Sequence, residues 1–429
     1  MVLKALNEWN PWWKEKTVPK TLLGNKRDAT DHIQKLMGLR EIKAITGVRR
    51  SGKSTLFYQT IDKILREVSP DRILLINFED DVLAKCSLRQ IIDVYQSNIN
   101  SNEPAYLFVD EIHRCQDWAQ YLRKSYDLKQ FEQILITDSS SSFIEREYAQ
   151  LFTGRNVKVT IYPLSFKEFL EWRGIKPELR LLDQKRSNMI KKELKEFILW
   201  GGFPEVISKD KSLKKILITN NFNDIIYKDI VGRFNVHPAK IRDLSNALIS
   251  NTATYFSVRK YSRQSGLALE TIESYLKYFE DVFLLHPVAK FDYSIRKQQI
   301  NPKKIYCIDS GFASNMGLTF SENLGRLYEN TVFCELRRRG KEVYYWKSKT
   351  QTEVDFLVKE GLEVKGLIQV CWNPEDEETR KREVKALQSA MEEFKLKEGL
   401  IITEDYEGIE ETKGERIVYT PLWKWLLKP

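Results

Sequence analysis

The sequence has few cysteines and no long apolar run, and each absence excludes a class of protein. Its five cysteines are scattered and form no CxxC pair, which argues against a zinc site and a disulfide framework and is typical of a reducing cytosol. No apolar run approaches the roughly 18 residues of a membrane-spanning helix. The first 20 residues carry tryptophans and charges instead of the apolar core of a signal peptide. We therefore expect a cytoplasmic protein without a membrane partner.

Length and charge leave several classes of function open. The 429 residues are enough for about three domains, each with its own core. A formal charge of +9 is compatible with nucleic-acid binding, but it is spread over a chain with 60 acidic residues. The charge alone therefore identifies no partner.

The most informative stretch is a glycine-rich loop between an apolar run, 42–45, and a helix-compatible run, 55–64. This strand, loop and helix context is the one that a P-loop requires. Gly47 and Gly52 let the backbone curl around an anion, Lys53 reaches the β- and γ-phosphates, and Ser54 can hold Mg²⁺. The predicted nucleotide-binding residues are Gly47, Val48, Arg49, Arg50, Ser51, Gly52, Lys53, Ser54 and Thr55.

Four further apolar runs alternate with helical stretches, and we interpret them as buried parallel strands. Together with 42–45 they predict a doubly wound P-loop sheet. The four runs are 72–78, 105–110, 134–137 and 157–162.

Two adjacent carboxylates end the run 105–110, at the edge where parallel strands deliver such groups. Asp110 is predicted to help hold Mg²⁺, and Glu111 to polarise the attacking water. The alternative is a strand that ends in ordinary solvated acids. The run 134–137 leads into 137–142, whose hydroxyls either sense the γ-phosphate or cap the next helix.

The order of these motifs resembles that of a known family: AAA+-type ATPases of archaea and bacteria with a C-terminal domain of unknown function related to restriction endonucleases. The family usually has glycine where this chain has Asp138, so the choice between Thr137 and Ser139 as sensor stays open. The stretches that carry the resemblance are 47–54, 108–113, 137–142, 153–155, 163–169, 201–204, 304–311, 324–330 and 353–355.

The resemblance implies Mg²⁺-dependent ATP hydrolysis with Lys53, Glu111 and Arg155 as catalytic residues. Arg155 stands where similar AAA+ proteins often carry an arginine finger, which acts across a subunit boundary. The alternative is an arginine that is salt-bridged within its own subunit.

Residues 256–283 predict a winged-helix module with Gly266 in its turn. The exposed positions leave its partner open, because the acidic residues of the second predicted helix repel phosphates, whereas the basic residues nearby favour DNA. The acidic residues are Glu270, Glu273, Glu280 and Asp281, the basic ones Arg259, Lys260, Arg263 and Lys277, and the predicted apolar face Ile272, Tyr275, Leu276 and Phe279.

The C-terminal part is similar to a metal-dependent nuclease but departs from its motif. Glu329 and Asp355 fit the first two positions of the nuclease site. Gln369 and Cys371 occupy the Glu-x-Lys position in our preferred alignment. The stretch 363–365 does spell that motif, but it follows a predicted hairpin turn at 359–361. We therefore expect no nuclease activity.

These observations predict a multidomain α/β protein with an AAA+-like ATPase core. Its function is Mg²⁺-dependent ATP hydrolysis coupled to nucleic-acid or partner-protein binding; the alternatives are a nucleotide-gated signalling switch with slow turnover and an ATP-regulated nuclease. DNA, a second copy of the chain and an unidentified protein all remain open as partners. The predicted domains are a Trp-rich arm (1–30), the P-loop core (31–168), a helical lid (169–232), a winged-helix-like domain (233–318) and a nuclease-like domain (319–429).

Overall fold

The computed structural model describes residues 1–100, 103–116, 118–140, 154–177, 183–317, 324–412 and 414–428. The chain forms two compact units, Met1–Tyr162 with Asp281–Phe283, and Pro163–Glu280 with Leu284–Pro429. Within the described ranges, no helix combines the length and the apolar character needed to cross a bilayer.

A five-stranded sheet with the strand order β2-β3-β4-β1-β5 lies at the centre of the first unit. All pairings are parallel, which confirms the predicted parallel α/β sheet. Apolar clusters cover both faces, as expected for strands whose sequences are continuous apolar runs. The strands are β1 (Ile42–Thr46), β2 (Ile73–Asn77), β3 (Ala105–Asp110), β4 (Phe131–Asp138) and β5 (Asn156–Thr160).

Helices flank this sheet on both sides, and their apolar stripes face it. The helix that follows the glycine-rich loop buries Leu56, Phe57 and Ile61. Ser87 and Gln90 form a capping box, which satisfies two backbone N–H groups at the start of a later helix. The helices of this unit are α1 (Val2–Trp9), α2 (Trp12–Glu15), α3 (Lys20–Leu23), α4 (Asp28–Leu36), α5 (Lys53–Ile64), α6 (Leu88–Asn98) and α7 (Trp118–Asp127).

The Trp-rich arm packs on the exposed edge of this sheet, at strand β2. Asn10 accepts a hydrogen bond from the Leu75 N–H at 2.7 Å and donates one to the Leu75 carbonyl at 2.8 Å. The indole N–H groups of Trp12 and Trp13 both donate to the Ile73 carbonyl, at 3.1 and 2.9 Å. Side chains thus pair an edge strand that would otherwise be open to association with other chains.

The second unit begins with helices that pack through a shared aromatic core, in which Phe166, Phe169 and Phe197 are in mutual ring contact. Ser165 and Glu168 form the capping box of its first helix. The helices are α8 (Phe166–Trp172), α9 (Gln184–Trp200), α10 (Lys211–Asp224), a π-helical turn (Ile225–Val231) and α11 (Gly232–Phe234).

A small antiparallel sheet with the order β6-β8-β7 follows, together with five helices. The predicted apolar face of the third of these helices is buried at all four positions, Ile272, Tyr275, Leu276 and Phe279. The elements are α12 (Pro238–Ser250), β6 (Thr254–Phe256), α13 (Val258–Ser265), α14 (Leu269–Asp281), β7 (Leu285–Val288), α15 (Ile295–Ile300), β8 (Lys303–Cys307) and α16 (Ser310–Met316).

The C-terminal part of the second unit is a six-stranded mixed sheet with the order β13-β14-β12-β11-β10-β9. Strands β9, β10 and β11 are antiparallel neighbours, whereas β12 pairs in parallel with β11 and β14. The elements are α17 (Leu324–Arg338), β9 (Glu342–Lys347), β10 (Glu353–Glu360), β11 (Glu363–Val370), α18 (Glu377–Phe394), β12 (Glu398–Thr403), β13 (Gly408–Thr412), β14 (Glu415–Pro421) and α19 (Leu422–Leu427).

The stretches 201–204 and 304–311, which are distant in the sequence, are in contact within the second unit. The buried carboxylate of Asp309 accepts hydrogen bonds from the N–H groups of Gly202 and Gly311, both at 2.8 Å. Gly201 has φ +77°, and a Cβ there would lie 1.7 Å from the Asp309 Oδ1 atom. Burial raises the pKa of Asp309 to about 6. The glycines of 201–204 therefore permit a close approach to the stretch 304–311.

Candidate functional site

The glycine-rich loop turns sharply between the end of β1 and the start of α5. Gly47 has φ +148°, and a Cβ there would lie 2.1 Å from the Ile161 carbonyl oxygen. Gly52 caps α5 with φ +97°, and Arg50 adopts φ +64°. These conformations aim the N-terminus of α5, with its free N–H groups, at the carboxyl edge of the sheet, where an anion is stabilised.

Lys53 lies under this loop instead of extending into solvent. Its ammonium donates to the carbonyls of Gly47 at 2.9 Å and Val48 at 3.3 Å, and the residue is 5% exposed. The N–H of Ser51 also donates to the Val48 carbonyl, at 3.2 Å, which tightens the turn. The loop thus holds the buried Lys53 ammonium next to the N-terminus of α5.

Ser54 and Asp110, which the sequence predicts as metal ligands, meet in the structure. The Ser54 hydroxyl donates to Asp110 Oδ2 at 2.6 Å. The Thr137 hydroxyl donates to the other carboxylate oxygen of Asp110. A carboxylate and a hydroxyl are oxygen donors of the kind that Mg²⁺ prefers, so this pair fits the ion.

Glu111 follows Asp110 in a left-handed conformation with φ +52°, and its N–H donates to the Thr137 hydroxyl at 3.0 Å. Thr137 therefore fixes both acids at the end of β3. Burial raises the pKa of the Glu111 carboxyl, and the nearby Lys53 ammonium partly offsets this rise. The Glu111 side chain is thus buried beside the loop.

His113 is a member of this cluster that sequence reasoning did not assign. Its Nδ1 lies 3.3 Å from Glu111 Oε2 and 3.5 Å from Asp138 Oδ1. Glu111, His113 and Asp138 have ligand atoms within 4.8 Å of one another. Asp138, which departs from the family glycine, thereby contacts the imidazole that contacts Glu111. The sequence did offer one sign of this role, because His113 belongs to the stretch 108–113 that carries the family resemblance.

The arginines of the loop and of the β3 end point to one acid that follows β2. Arg49 forms an ion pair with Glu79 at 3.0 Å, and Arg114 lies 3.7 Å from the same carboxylate oxygen.

Thr55 lies in the first turn of α5, next to Lys53 and Ser54. Ser139 and Ser140 are buried after β4, whereas Ser141, Ser142 and Thr153 lie outside the described residues.

Arg155 directly precedes β5 and therefore lies at the amino ends of the parallel strands, whereas the loop lies at their carboxyl ends. Its carbonyl accepts the N–H of Ile42, the first residue of β1, and its guanidinium pairs with Asp127 at 3.1 Å. The length of β1, about 15 Å at roughly 3.3 Å per residue, separates it from Gly47. Arg155 therefore does not reach the loop of its own subunit, and its action on a neighbouring subunit stays a prediction.

The nuclease-like residues gather on β10, β11 and α17. Gln369 Oε1 accepts the Asp355 N–H at 3.1 Å, and Asp355 Oδ2 accepts the Val370 N–H at 3.0 Å. Glu363 and Lys365 instead pair with each other near the exposed β10–β11 turn. Gln369, and not Glu363, is thus the neighbour of Asp355.

Two further features of this cluster bear on metal chemistry. The Gln369 amide donates to Glu383 of α18. The charged run 375–383 is typical of a solvated helix face, but Glu383 packs against Gln369 and burial raises the pKa of its carboxyl. Burial also raises the pKa of the Cys371 thiol to about 11, so a neutral thiol occupies the lysine position.

Comparison with known proteins places this architecture in context. A family model described as an AAA domain matches residues 39–170, and two domains of unknown function, DUF8612 and DUF4143, match 191–323 and 324–425. The chain is 36% identical to the uncharacterized protein MJ1544 of Methanocaldococcus jannaschii, over 90% of this chain and 88% of that protein. It is 29% identical to an uncharacterized protein of Haemophilus influenzae, over 92% and 97% of the two chains.

Solved structures give a more distant likeness. The Walker-type ATPase PABY2304 of Pyrococcus abyssi aligns with a TM-score of 0.45 and 13% identity, over 70% of this chain and 97% of that chain. The AAA-domain match confirms the predicted resemblance to a P-loop ATPase family. The relation of the C-terminal domain to restriction endonucleases stays a prediction.

Proposed function

This chain belongs to the same family as the uncharacterized protein MJ1544 of M. jannaschii, and we propose that it is a Mg²⁺-dependent ATPase. One observation carries the proposal: the loop hydroxyl of Ser54 and the strand-end carboxylate of Asp110 are in contact at 2.6 Å. These two groups come from separate motifs, 56 residues apart. Their contact completes the oxygen pair on which a P-loop places its metal ion.

Each residue of the site has a distinct part in this chemistry. The backbone N–H groups of 47–54 and the Lys53 ammonium bind the phosphates and neutralise their charge. Ser54 and Asp110 would hold Mg²⁺, which would neutralise the charge that develops on the leaving oxygens. Glu111 orients the attacking water, and Thr137 keeps both acids in register.

Replacement of Lys53 by Ala tests the nucleotide site. Loss of the ammonium removes the cation that contacts the loop carbonyls of Gly47 and Val48, so ATP affinity should fall at least tenfold, measured by calorimetric titration. Lys63→Ala is the matched control, because Lys63 lies on the same helix and pairs with Asp31 away from the loop. Equal ATP affinity of folded Lys53→Ala and wild type would refute the assignment.

We also propose that ATP turnover is coupled to a partner through the module 233–318. The order α12, β6, α13, α14, β7, β8 and the sheet order β6-β8-β7 are typical of a winged helix. Arg259, Lys260 and Arg263 are exposed on α13. These basic residues favour DNA, whereas a protein partner would suit a nucleotide-gated switch.

The two partners are distinguished by ATP turnover with and without single- and double-stranded DNA. Stimulation that weakens as salt rises, and that is lost in Lys260→Glu, supports DNA. Unchanged slow turnover in the presence of both nucleic acids favours the switch. Nuclease activity is disfavoured because Gln369 and Cys371 occupy the Glu-x-Lys position.

A further inference from the structure

A buried lysine lies among the carboxylates of the C-terminal domain. The Lys304 ammonium lies 2.6 Å from Glu353 Oε1, 2.9 Å from Asp355 Oδ1 and 3.0 Å from Glu329 Oε1. The lysine side chain is 5% exposed. The ammonium donates hydrogen bonds to Asp355 and Glu329 and forms an ion pair with Glu353.

The lysine and the acids come from different sheets. Lys304 belongs to β8 of the three-stranded sheet, whereas Glu353 and Asp355 belong to β10 and Glu329 to α17. The Tyr306 hydroxyl, also from β8, donates to Glu329 at 2.6 Å, and the Tyr255 hydroxyl donates to Glu353. The small sheet thus inserts a cation and two hydroxyl donors into the acidic cluster.

The charges explain why these groups are found together. Three carboxylates in a buried cluster repel one another unless a cation lies between them. Burial by itself would lower the pKa of Lys304, but Asp355, followed by Tyr306 and Glu329, raises that pKa well above its usual value. The lysine is therefore held in its charged form by the acids that it neutralises.

A divalent ion would need the same space. Ca²⁺ and Mg²⁺ bind carboxylate oxygens at roughly 2.0 to 2.6 Å, so an ion shared by Glu329, Glu353 and Asp355 would lie where the ammonium is. Two cations at one point repel strongly, so the ammonium and a metal exclude each other.

We propose that Lys304 is the resident cation of this cluster, which takes the place of a divalent metal ion and closes the C-terminal domain to it. The ammonium also joins β8 to β10 and α17, so the acids that resemble a nuclease site serve as a structural connection between the two sheets.

The test is a titration of the nucleotide-free full-length protein with Mn²⁺, in which electron paramagnetic resonance measures the concentration of free ion. Cluster binding is defined as the part that Asp355→Asn removes, which separates it from ions at the P-loop. Wild type should show none. Lys304→Ala should gain one Mn²⁺ site in the cluster, at least tenfold tighter than the weakest binding that the assay detects, whereas Lys304→Arg, which keeps the charge, should not.

Two results would overturn the proposal. One is Mn²⁺ binding by wild type that Asp355→Asn abolishes, because the lysine would then not exclude the ion. The other is a folded Lys304→Ala protein that gains no site.

Thermal unfolding supplies a second measurement in case Lys304→Ala does not fold. Lys304→Met leaves three carboxylates without a cation, whereas the triple variant with Glu329→Gln and Asp355→Asn removes most of the repulsion. The triple variant should therefore have a higher Tm than Lys304→Met alone, and an equal or lower Tm would refute the role of Lys304 as counter-ion.

Discussion

Thr137→Val should slow ATP hydrolysis while ATP remains bound. The change keeps the shape of the side chain and removes one hydroxyl. That hydroxyl donates to Asp110 and accepts the Glu111 N–H at 3.0 Å, and the residue is fully buried. Both acids then lose an anchor, and Glu111 loses it at a left-handed backbone conformation with φ +52°.

The size of the effect follows from these two bonds. A hydrogen bond to a charged group contributes about 1.5 to 3 kcal/mol, and a buried N–H left without a partner costs about 1 to 3 kcal/mol. Part of this loss destabilises the fold equally in all states. If about half of it is expressed in the transition state, the barrier rises by roughly 1.5 to 3 kcal/mol, which is a fall in turnover of about 10- to 100-fold.

Single-turnover phosphate release measures this fall, and calorimetric titration measures ATP affinity beside it. Thr60→Val is the matched control, because Thr60 is buried on α5 and its hydroxyl donates to the Leu56 carbonyl within the helix. Turnover of a folded Thr137→Val protein within about twofold of that control would refute the positioning role of Thr137.

Three further outcomes are expected. Glu111→Gln should bind ATP and hydrolyse it slowly in the same phosphate-release assay, since an amide keeps the size of the side chain but does not polarise water; turnover near wild type would make Glu111 a structural acid. Arg155→Ala should lower turnover more than ATP affinity, and mixing it with Lys53→Ala should restore turnover if sites form between subunits, whereas no restoration leaves Arg155 in its pair with Asp127. Plasmid and single-stranded DNA incubated with Mg²⁺ or Mn²⁺ should remain intact on gels, with and without ATP; cleavage that Asp355→Ala abolishes would contradict the inactive nuclease site.

The sequence was sufficient where function depends on neighbours along the chain. The loop 47–55 has its chemistry encoded in the spacing of Gly47, Gly52 and Lys53, because a tight turn and a helix N-terminus are local structures. Asp110 was placed by the same logic, since an apolar run that ends in an acid predicts a strand end.

The hydrogen bonds from the side chains of the Trp-rich arm to the backbone of β2 were predictable only in part. Three tryptophans in the first thirteen residues, with the polar Asn10 among them, favour an arm that packs on a neighbouring domain. Which backbone groups it would satisfy depended on β2 lying at the edge of the sheet, and strand order is set by contacts far apart in sequence.

By itself, therefore, the sequence determined that this chain carries a P-loop with its strand-end acids, because those features arise from spacing within one strand, one turn and one helix. Only the tertiary structure decided that Arg155 lies at the amino ends of the strands, away from the loop. It also decided that His113 contacts Glu111 and Asp138. Finally, it brought Lys304 to Asp355, which is 51 residues away in the sequence. Such contacts depend on strand register, in which a shift of one residue turns a side chain to the opposite face. The sequence of β8, Lys303 to Cys307, gives no local sign of the acids that Lys304 contacts.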